Sequence, residues 1–308
     1  MPSLQNTIIL FYYTRPSGLL LQEQRYAYGM IAPVVLGFLC FILFPLLYEF
    51  YMSCTNMTLT DPGTWVGLEN YRTLVSDPKY VNSMEKTMLF MLGIVPLNIL
   101  AALVLAQMLS QKLRDVGLFR TLVFIPYITP VIVWAQVWKL ILSSDAGILN
   151  AILSAFGIQG RNWLFDMKLT MPVVILNYVL KNLGYNMIIF LSAMMSVPAI
   201  YYEAAELDGA DRLNTFFRIT LPVISPTTFM VIITTMIGAF KSFANLYNLT
   251  KGGPARSTQI IVLWIYQKAF REYKFGIAAA ASVVLFLIIL VLTLIQWALR
   301  RRMVYAED

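Results

Sequence analysis

The stretch VPAIYYEAAELDGADRLNTFFRITLPVISP, residues 197–226, is a polar segment between two long apolar runs at about 169–196 and 223–246. It carries four acidic side chains and two arginines, whereas each flanking run carries a single lysine. Crossing the hydrocarbon layer as a helix takes roughly 20 consecutive apolar residues. The segment is therefore expected to connect two membrane-spanning helices, and the fold depends on what this connection does.

The segment has local signals for two short helices. Pro198 fits the first turn of a helix, residues 200–207 are good helix formers, and Gly209 is a natural C-terminal stop. A second short helix is expected over residues 211–219, before Pro222 opens the next apolar run. The two helices would lie at an angle along the membrane surface, with Gly209 as the corner. An ordinary amphipathic connector with a solvated charged face would show the same pattern.

Apolar runs long enough to span a membrane recur along the chain. Of the 308 residues, 59% are hydrophobic and 13% are charged, about half the charged fraction of a soluble domain. Strands of a membrane β-barrel alternate over about ten residues, and these runs do not alternate. The expected fold is all-α, an integral membrane protein with six transmembrane helices. The predicted spans are about 29–51, 87–109, 118–142, 169–196, 223–246 and 277–299.

Three parts are expected along the chain. They are a cytoplasmic or interfacial N-terminal segment (1–27), a transmembrane domain (28–300) with its polar loop (197–222), and a cytoplasmic tail (301–308). The N-terminal segment has no basic start ahead of its short apolar stretch, so it does not match a signal peptide. It could lie on the membrane as an amphipathic segment or form a loose tail, and the sequence favours neither.

The composition excludes several functional classes. The chain has no histidine and two cysteines, Cys40 and Cys54, so it lacks the usual general base, the commonest metal ligand and a disulfide framework. We therefore expect no catalytic residues and no metal site. The net charge of +7 is interpreted as juxtamembrane charge near anionic membrane lipid, with no nucleic-acid partner. No G-x-x-x-x-G-K-[ST] phosphate loop is present, so ATP binding is not expected in this chain.

Charge near the span ends favours termini in the cytoplasm. An even number of spans puts both termini on one side, and the total basic charge of the two sides is nearly equal. The positive-inside rule is best applied to short segments near span ends. The short turn with Lys112, Arg114 and Arg120, and the arginine triplet 300–302, both fall on the side of the termini. This distribution predicts that the termini and the polar loop face the cytoplasm.

The polar segment resembles the EAA loop of binding-protein-dependent ABC importer permeases (type I importers). The match runs with its full spacing through Glu203-Ala204-Ala205, Asp208-Gly209-Ala210, Phe216, Ile219, Leu221-Pro222 and Pro226. Further segments fit the same group: Gly67-Leu68-Glu69-Asn70-Tyr71, Phe119-Arg120-Thr121, Ile125-Pro126, Gly252-Gly253-Pro254 and residues 275–280. Within the family, the chain resembles the carbohydrate-uptake branch, which is similar to the larger maltose permease subunit.

The resemblance implies a division of labour among subunits. Two permeases pair, here as an expected heterodimer, two cytoplasmic ATPase subunits bind ATP and Mg²⁺, and an extracytoplasmic binding protein delivers the solute. This chain would then be a non-catalytic, cofactor-free subunit in the cytoplasmic membrane of a bacterium or archaeon. It would move a sugar or oligosaccharide by alternating access coupled to the ATPases.

The resemblance also implies that the loop inserts into a groove on the ATPase subunit. Glu203 would present a charge to a basic partner, and Ala204 and Ala205 would allow close approach. Gly209 would fix the bend, and Pro222 would make the loop and the fifth span move together. The expected ATPase-coupling residues are Glu203, Ala204, Ala205, Asp208, Gly209, Ala210 and Pro222.

Polar groups in the fourth run are candidates for solute contacts, because a central lysine in a span costs roughly 2.5–3.5 kcal/mol on insertion scales. Asn177, Lys181 and Gly184 share one helical face, and Tyr185 lies near it. Amides, a tyrosine ring and a glycine gap suit sugar recognition, and a lysine suits an acidic sugar such as a uronate. A lysine paired with backbone carbonyls would give the same pattern.

The family resemblance extends these candidates. Leu183-Gly184-Tyr185 resembles the maltose-type permease at its substrate site, whose neighbours map onto Leu180, Lys181 and Met187. In the fifth run, Thr235, Gly238, Ser242 and Asn245 recur at helical spacing, and the resemblance places substrate contacts at four positions there, including Ala239. Small-residue helix packing would also explain this stripe. The substrate-pathway candidates are Asn177, Lys181, Asn182, Gly184, Tyr185, Met187, Thr235, Gly238, Ser242 and Asn245.

Two other functional classes fit the sequence less well. A self-contained secondary transporter or channel is expected to need intramembrane acids for ion coupling, and the predicted spans offer only Glu49, at the edge of the first. An intramembrane enzyme would need a catalytic set, and no span holds paired acids. An ATP-driven importer subunit is therefore the leading interpretation.

Overall fold

The computed structural model describes residues 17–110, 116–145 and 147–303. The chain divides into two units, Met1–Met52 and Ser53–Asp308. Predictions that fall on residues 1–16, on Lys112 and Arg114, or on 304–308 lie outside the described residues.

Helices make up nearly all of the ordered structure in the described ranges. They are α1 (Ser17–Phe38), α2 (Phe44–Ser53), α3 (Glu69–Ser76), α4 (Pro78–Leu109), α5 (Val116–Ile128), α6 (Val131–Ile141), α7 (Ile148–Ala155), α8 (Thr170–Met195), α9 (Ala199–Leu207), α10 (Arg212–Thr215), α11 (Leu221–Val223), α12 (Ser225–Phe240), α13 (Phe243–Leu249), α14 (Ile261–Phe270) and α15 (Phe275–Met303). Two π-helical turns, Leu39–Leu43 and Phe216–Thr220, join α1 to α2 and α10 to α11.

The lengths and composition of these helices agree with the expected all-α, six-span fold. Four helices are long and apolar enough to cross a membrane: Gln24–Ser53, Pro78–Leu109, Thr170–Met195 and Phe275–Leu299. Two bent pairs supply the other spans, α5 with α6 and Arg212–Val223 with α12, bent by 101° and 72°. Counting each bent pair as one span gives six.

The third span is broken, although the sequence pattern predicted one continuous run over 118–142. Helix α5 ends at Ile128, and Pro130 caps the start of α6. Because Pro130 has no N–H, it cannot continue the hydrogen-bond ladder, and its ring disfavours helical geometry at Thr129. The proline therefore explains the position of the bend.

The boundary of the fifth span also differs from the prediction. Pro222 lies inside α11, and the following helix begins at Ser225 with a proline in its first turn. Both π-helical turns stand just ahead of a proline, Pro45 or Pro222, and in each the N–H before the proline bonds to the carbonyl five residues back. The missing proline N–H shifts the ladder without ending the helix.

The unit Ser53–Asp308 packs around α4 and α8. One apolar cluster joins the C-terminal halves of these two helices to Val197 and Ile224. A second cluster joins their N-terminal halves to α13 and Ile260. A third packs α15 against α12 and α14, with Phe240 and Trp264 buried at its centre. The polar segment and the far loops are thus fixed to opposite ends of the same helix pair.

A loop motif on the side away from the polar segment has a clear structural role. The buried amide of Asn70, in α3, donates to the carbonyl oxygens of Ser53 and Thr55 at 2.8 and 2.7 Å. The hydroxyls of Tyr71 and Ser53 are 2.7 Å apart. Asn70 and Tyr71 therefore fix α3 against the chain that leaves the first span.

Candidate functional site

The polar connector, residues 197–226, forms the expected corner at Gly209. Helix α9 begins after Pro198, and Gly209 follows its end with φ +73°. The N–H of Ala210 bonds to the carbonyl of Ala205 at 2.9 Å, and the N–H of Gly209 to that of Glu206 at 3.1 Å. This pair of bonds is the Schellman arrangement, which favours glycine at the left-handed position. The predicted corner is confirmed by this geometry.

The second half of the connector is also ordered by local chemistry. The side chain of Asp211 caps α10 by accepting from the N–H of Asn214 at 2.7 Å. The hydroxyls of Tyr202 and Thr220, one in each half of the connector, are 3.3 Å apart. Tyr202 and Phe216 pack on the apolar cluster between α4 and α8. The connector is therefore one folded unit attached to the bundle.

The opposite face of the connector is exposed and mixes acids with apolar side chains. Glu203, Ala204 and Asp208 are exposed, as are Gly209 and Ala210. Large apolar side chains are exposed beside them, with Leu207 at 90%. The others are Ile200, Leu213 and Phe217. Exposed apolar side chains bordered by polar ones are typical of protein-binding surfaces.

One alanine of the connector faces inward. Ala205 is buried, with 5% of its surface exposed, whereas Ala204 is exposed. A docking partner could therefore approach the connector closely at Ala204. Ala205 instead permits close packing of α9 on its own chain.

A buried amide network joins three spans at mid-bundle. The amide nitrogen of Asn186 donates to Asn98 Oδ1 at 2.5 Å and to Thr235 Oγ1 at 2.9 Å. The amide of Asn98 donates to the carbonyl of Val179 at 3.1 Å. Asn98, Asn186 and Thr235 are all buried, and they link α4, α8 and α12. Sequence reasoning missed Asn98 and Asn186, for which the available signal was an amide inside an apolar run.

Lys181 binds the broken third span. Its ammonium donates to the carbonyl oxygens of Pro126 and Thr129 at 3.0 and 2.6 Å. It also lies 5.8 Å from the ring centroid of Trp134. In a continuous helix the carbonyl of Pro126 would accept from residue 130, which is a proline without an N–H. Lys181 thus supplies the donor that the bend removes.

Glycines of the fourth and fifth spans permit close approach. A Cβ added at Gly184 would lie 2.8 Å from the Cα of Phe124, so α5 and α8 touch through their backbones there. A Cβ at Gly238 would lie 3.1 Å from the hydroxyl of Tyr178. Helix packing accounts for Gly184, while Gly238 leaves the tyrosine hydroxyl room beside α12.

The remaining candidates on α8 divide between open and buried positions. Tyr185 is 41% exposed and stacks on Tyr127 of α5, with centroids 4.7 Å apart and planes at 16°. Asn182 donates to the carbonyl of Tyr178 at 2.9 Å, one turn back on its own helix. Met187 is fully buried in the cluster between α4 and α8. Tyr185 is therefore the most exposed candidate on α8, with one face of its ring stacked on Tyr127.

Two buried amides have no hydrogen-bond partner in the described chain. Both polar atoms of Asn177, on α8, and of Asn245, on α13, lack one, and the two residues are 0% and 4% exposed. Ser242, just before α13, is also buried. An unpaired buried amide costs about 1–3 kcal/mol, so such groups point to a role that packing does not supply.

At the end of the bundle away from the polar connector, four aromatic rings form a partly buried group, with Phe270 its exposed member. Phe243, Tyr247, Tyr266 and Phe270 have neighbouring ring centroids 4.9–5.5 Å apart. Arg271 reaches the hydroxyl of Tyr247 at 3.5 Å. The hydrogen bond from Arg271 is the main cause that lowers the pKa of Tyr247, and a hydrogen bond with Tyr266 adds to it. The contact with Tyr247 in turn raises the pKa of Arg271.

In the described residues, no group of three or more His, Cys, Asp or Glu could hold a metal ion.

Known proteins resemble this chain over most of its length. Residues 98–305 match the family described as "Binding-protein-dependent transport system inner membrane component". The lactose transport system permease protein LacF of Rhizobium radiobacter is 35% identical over 282 residues, which cover 88% of this chain and 93% of LacF. The trehalose/maltose transport system permease protein MalF of Thermococcus litoralis is 31% identical over 283 residues, covering 91% and 95%.

A solved structure has the same fold. It is a chain of a bacterial alginate ABC transporter in complex with an alginate pentasaccharide-bound periplasmic protein. The TM-score is 0.84 and the identity 22%, over 94% of this chain and 98% of the other.

Proposed function

The chain belongs to the family of binding-protein-dependent transport system inner membrane components, and from this premise we propose that it is the membrane-spanning permease subunit of an ATP-driven importer of sugars or oligosaccharides. Relatives named as lactose and trehalose/maltose permeases support a carbohydrate solute. The solute would move by alternating access, while ATP and Mg²⁺ are bound by separate ATPase subunits.

The observation that carries this proposal is the structure of the polar connector. Its inner face packs on the bundle through Tyr202 and Phe216, and its outer face presents Glu203 among exposed apolar side chains. A push on the corner at Gly209 would reach α12 through the helical run that ends at Val223. The connector is thus suited to transmit the movement of a docked ATPase to the spans.

This function sets an orientation and a set of partners. We place the polar connector and both termini in the cytoplasm, because ATP is hydrolysed there. A second permease subunit, two ATPase subunits and an extracytoplasmic binding protein complete the assembly. The solute would pass along α8, α12 and α13, where Tyr185 offers a ring face and the amides of Asn177 and Asn245 lack partners.

Reversing the charge on the connector tests the proposal. In the purified importer, Glu203→Arg should abolish the stimulation of ATP hydrolysis by the binding protein while the complex still inserts in the membrane. Glu69→Arg is a matched control, because Glu69 is exposed at the other end of the bundle. Normal stimulation in Glu203→Arg would contradict a docking role. Solute uptake that persists without any ATPase subunit would instead favour a self-contained transporter.

A further inference from the structure

A cavity of about 410 Å³ opens at the end of the bundle away from the polar connector. It lies between the end of α6, the loop that follows α7, and the turn after α13. These connections alternate along the chain with the polar connector, so they reach the opposite side of the membrane. The volume falls within the roughly 300–1,000 Å³ of small-molecule sites.

The charged side chains of the cavity wall are all basic. Lys139 and Lys251 line it, and no acidic residue does. Neither lysine forms an ion pair or a side-chain hydrogen bond with the described residues. Unpaired ammonium groups that line one cavity favour an anionic ligand.

Neutral polar side chains also line the cavity. Ser143, Ser144 and Asn162 line the cavity, and within the described ranges their side chains make no hydrogen bond. Leu164 and Phe165 form an apolar wall beside them. Hydroxyl and amide groups with an apolar surface suit a sugar ring, so the lining offers groups for a sugar as well as for a carboxylate.

The turn that carries Lys251 is held in an unusual conformation. The backbone φ angles of Lys251, Ala255 and Arg256 are 53°, 45° and 64°, values that residues other than glycine rarely adopt. The hydroxyl of the fully buried Thr258 lies 2.7 Å from that of Thr250 and donates to the carbonyl of Gly253 at 2.8 Å. The turn is thus fixed before any ligand arrives, and a fixed site loses less entropy on binding.

We propose that this cavity binds the carboxylate of an acidic saccharide, such as a uronate oligomer, before the solute enters the membrane path. The inference rests on the proposed function, because it names the charge class of the transported sugar. Lys139 and Lys251 hold the carboxylate, and Asn162 with the serine hydroxyls bonds the ring.

Direct binding tests the site without requiring transport. The purified importer, in phosphatidylcholine nanodiscs without its binding protein, is titrated with trigalacturonate and with neutral maltotriose. The Lys139→Gln/Lys251→Gln variant should weaken trigalacturonate binding about tenfold and flatten its salt dependence, with maltotriose unchanged. The control is Lys79→Gln/Lys168→Gln, which removes the same charge from exposed sites outside the cavity.

A second variant keeps the test decisive if the first variant misfolds. Asn162→Asp places a negative charge at an exposed position and should abolish trigalacturonate binding while leaving the unfolding temperature unchanged. The proposal is overturned if trigalacturonate does not bind, if the control variant weakens binding equally, or if phosphatidylglycerol or sn-glycerol 3-phosphate displaces it from these lysines preferentially. Failure of the proposed function gives a different result, namely no ATP-dependent uptake of any saccharide by the complete importer.

Discussion

The clearest mechanical prediction concerns Lys181 and the broken third span. Lys181→Met removes two charge-assisted hydrogen bonds, to the carbonyls of Pro126 and Thr129, and leaves both oxygens without that donor. At the membrane average of about 0.6 kcal/mol each, the two hydrogen bonds total about 1.2 kcal/mol, whereas two unsatisfied carbonyls at about 1–3 kcal/mol each would cost about 2–6 kcal/mol. Between these limits we expect a loss of about 2–4 kcal/mol in the free energy of unfolding.

A second substitution should restore part of that loss. Pro130→Ala supplies an N–H four residues after Pro126, where a continuous helix would use it. With Lys181 present, Pro130→Ala should change stability by less than about 1 kcal/mol. In the Lys181→Met background it should recover about 1 kcal/mol, so the two effects are non-additive.

The assay is reversible denaturant unfolding of the purified permease in mixed micelles, with uptake measured in parallel. Lys241→Met serves as the control, because Lys241 is exposed and its side chain has no hydrogen bond within the described part of the chain. Unchanged stability in Lys181→Met, together with a raised KM for the solute, would refute the bracing role and favour solute contact. If the changes in unfolding free energy caused by Lys181→Met and Pro130→Ala simply add in the double variant, the proposed link between Lys181 and Pro130 is refuted.

Three further predictions concern packing and the corner. Gly209→Val should destabilise the connector by about 1–2 kcal/mol, because φ at this position is +73°, whereas Gly209→Asn should be tolerated better. Limited proteolysis should therefore cut the connector faster in Gly209→Val than in Gly209→Asn. Gly184→Ala should cost about 1–3 kcal/mol in thermal unfolding and Gly117→Ala almost nothing, since only the first Cβ meets backbone; equal losses would argue against the α5–α8 contact. Asn98→Leu and Asn186→Leu should each cost about 1–2 kcal/mol, and the double variant less than their sum, while additive losses would show that the two amides act independently.

Local chemistry explains why the connector could be predicted in detail. Pro198 and Gly209 act on backbone atoms within a few residues of themselves, so the start of α9 and the corner follow from sequence spacing. The number of spans was predictable for a similar reason, because the bilayer imposes one length and one polarity on each crossing.

Features that depend on distant residues were harder to predict. Hydropathy treats Pro130 as part of one apolar run, and only the packed bundle shows that Lys181 satisfies the carbonyls freed there. Asn98 and Asn186 are 88 residues apart, and nothing local pairs them. Ala205 and Ala204 look alike in sequence, and only the position of α9 on the bundle separates the buried one from the exposed one.

The central claim, that the polar connector docks on an ATPase subunit, is tested most directly by site-specific photo-cross-linking in native membranes. A background with Cys40→Ser and Cys54→Ser carries Ala204→Cys on the exposed face, labelled with benzophenone maleimide; Ser154→Cys, exposed on α7, is the matched control. The docking account predicts an ATPase adduct from position 204 that is absent from position 154. An adduct from position 154 alone, or none from 204 in an active complex, would contradict it.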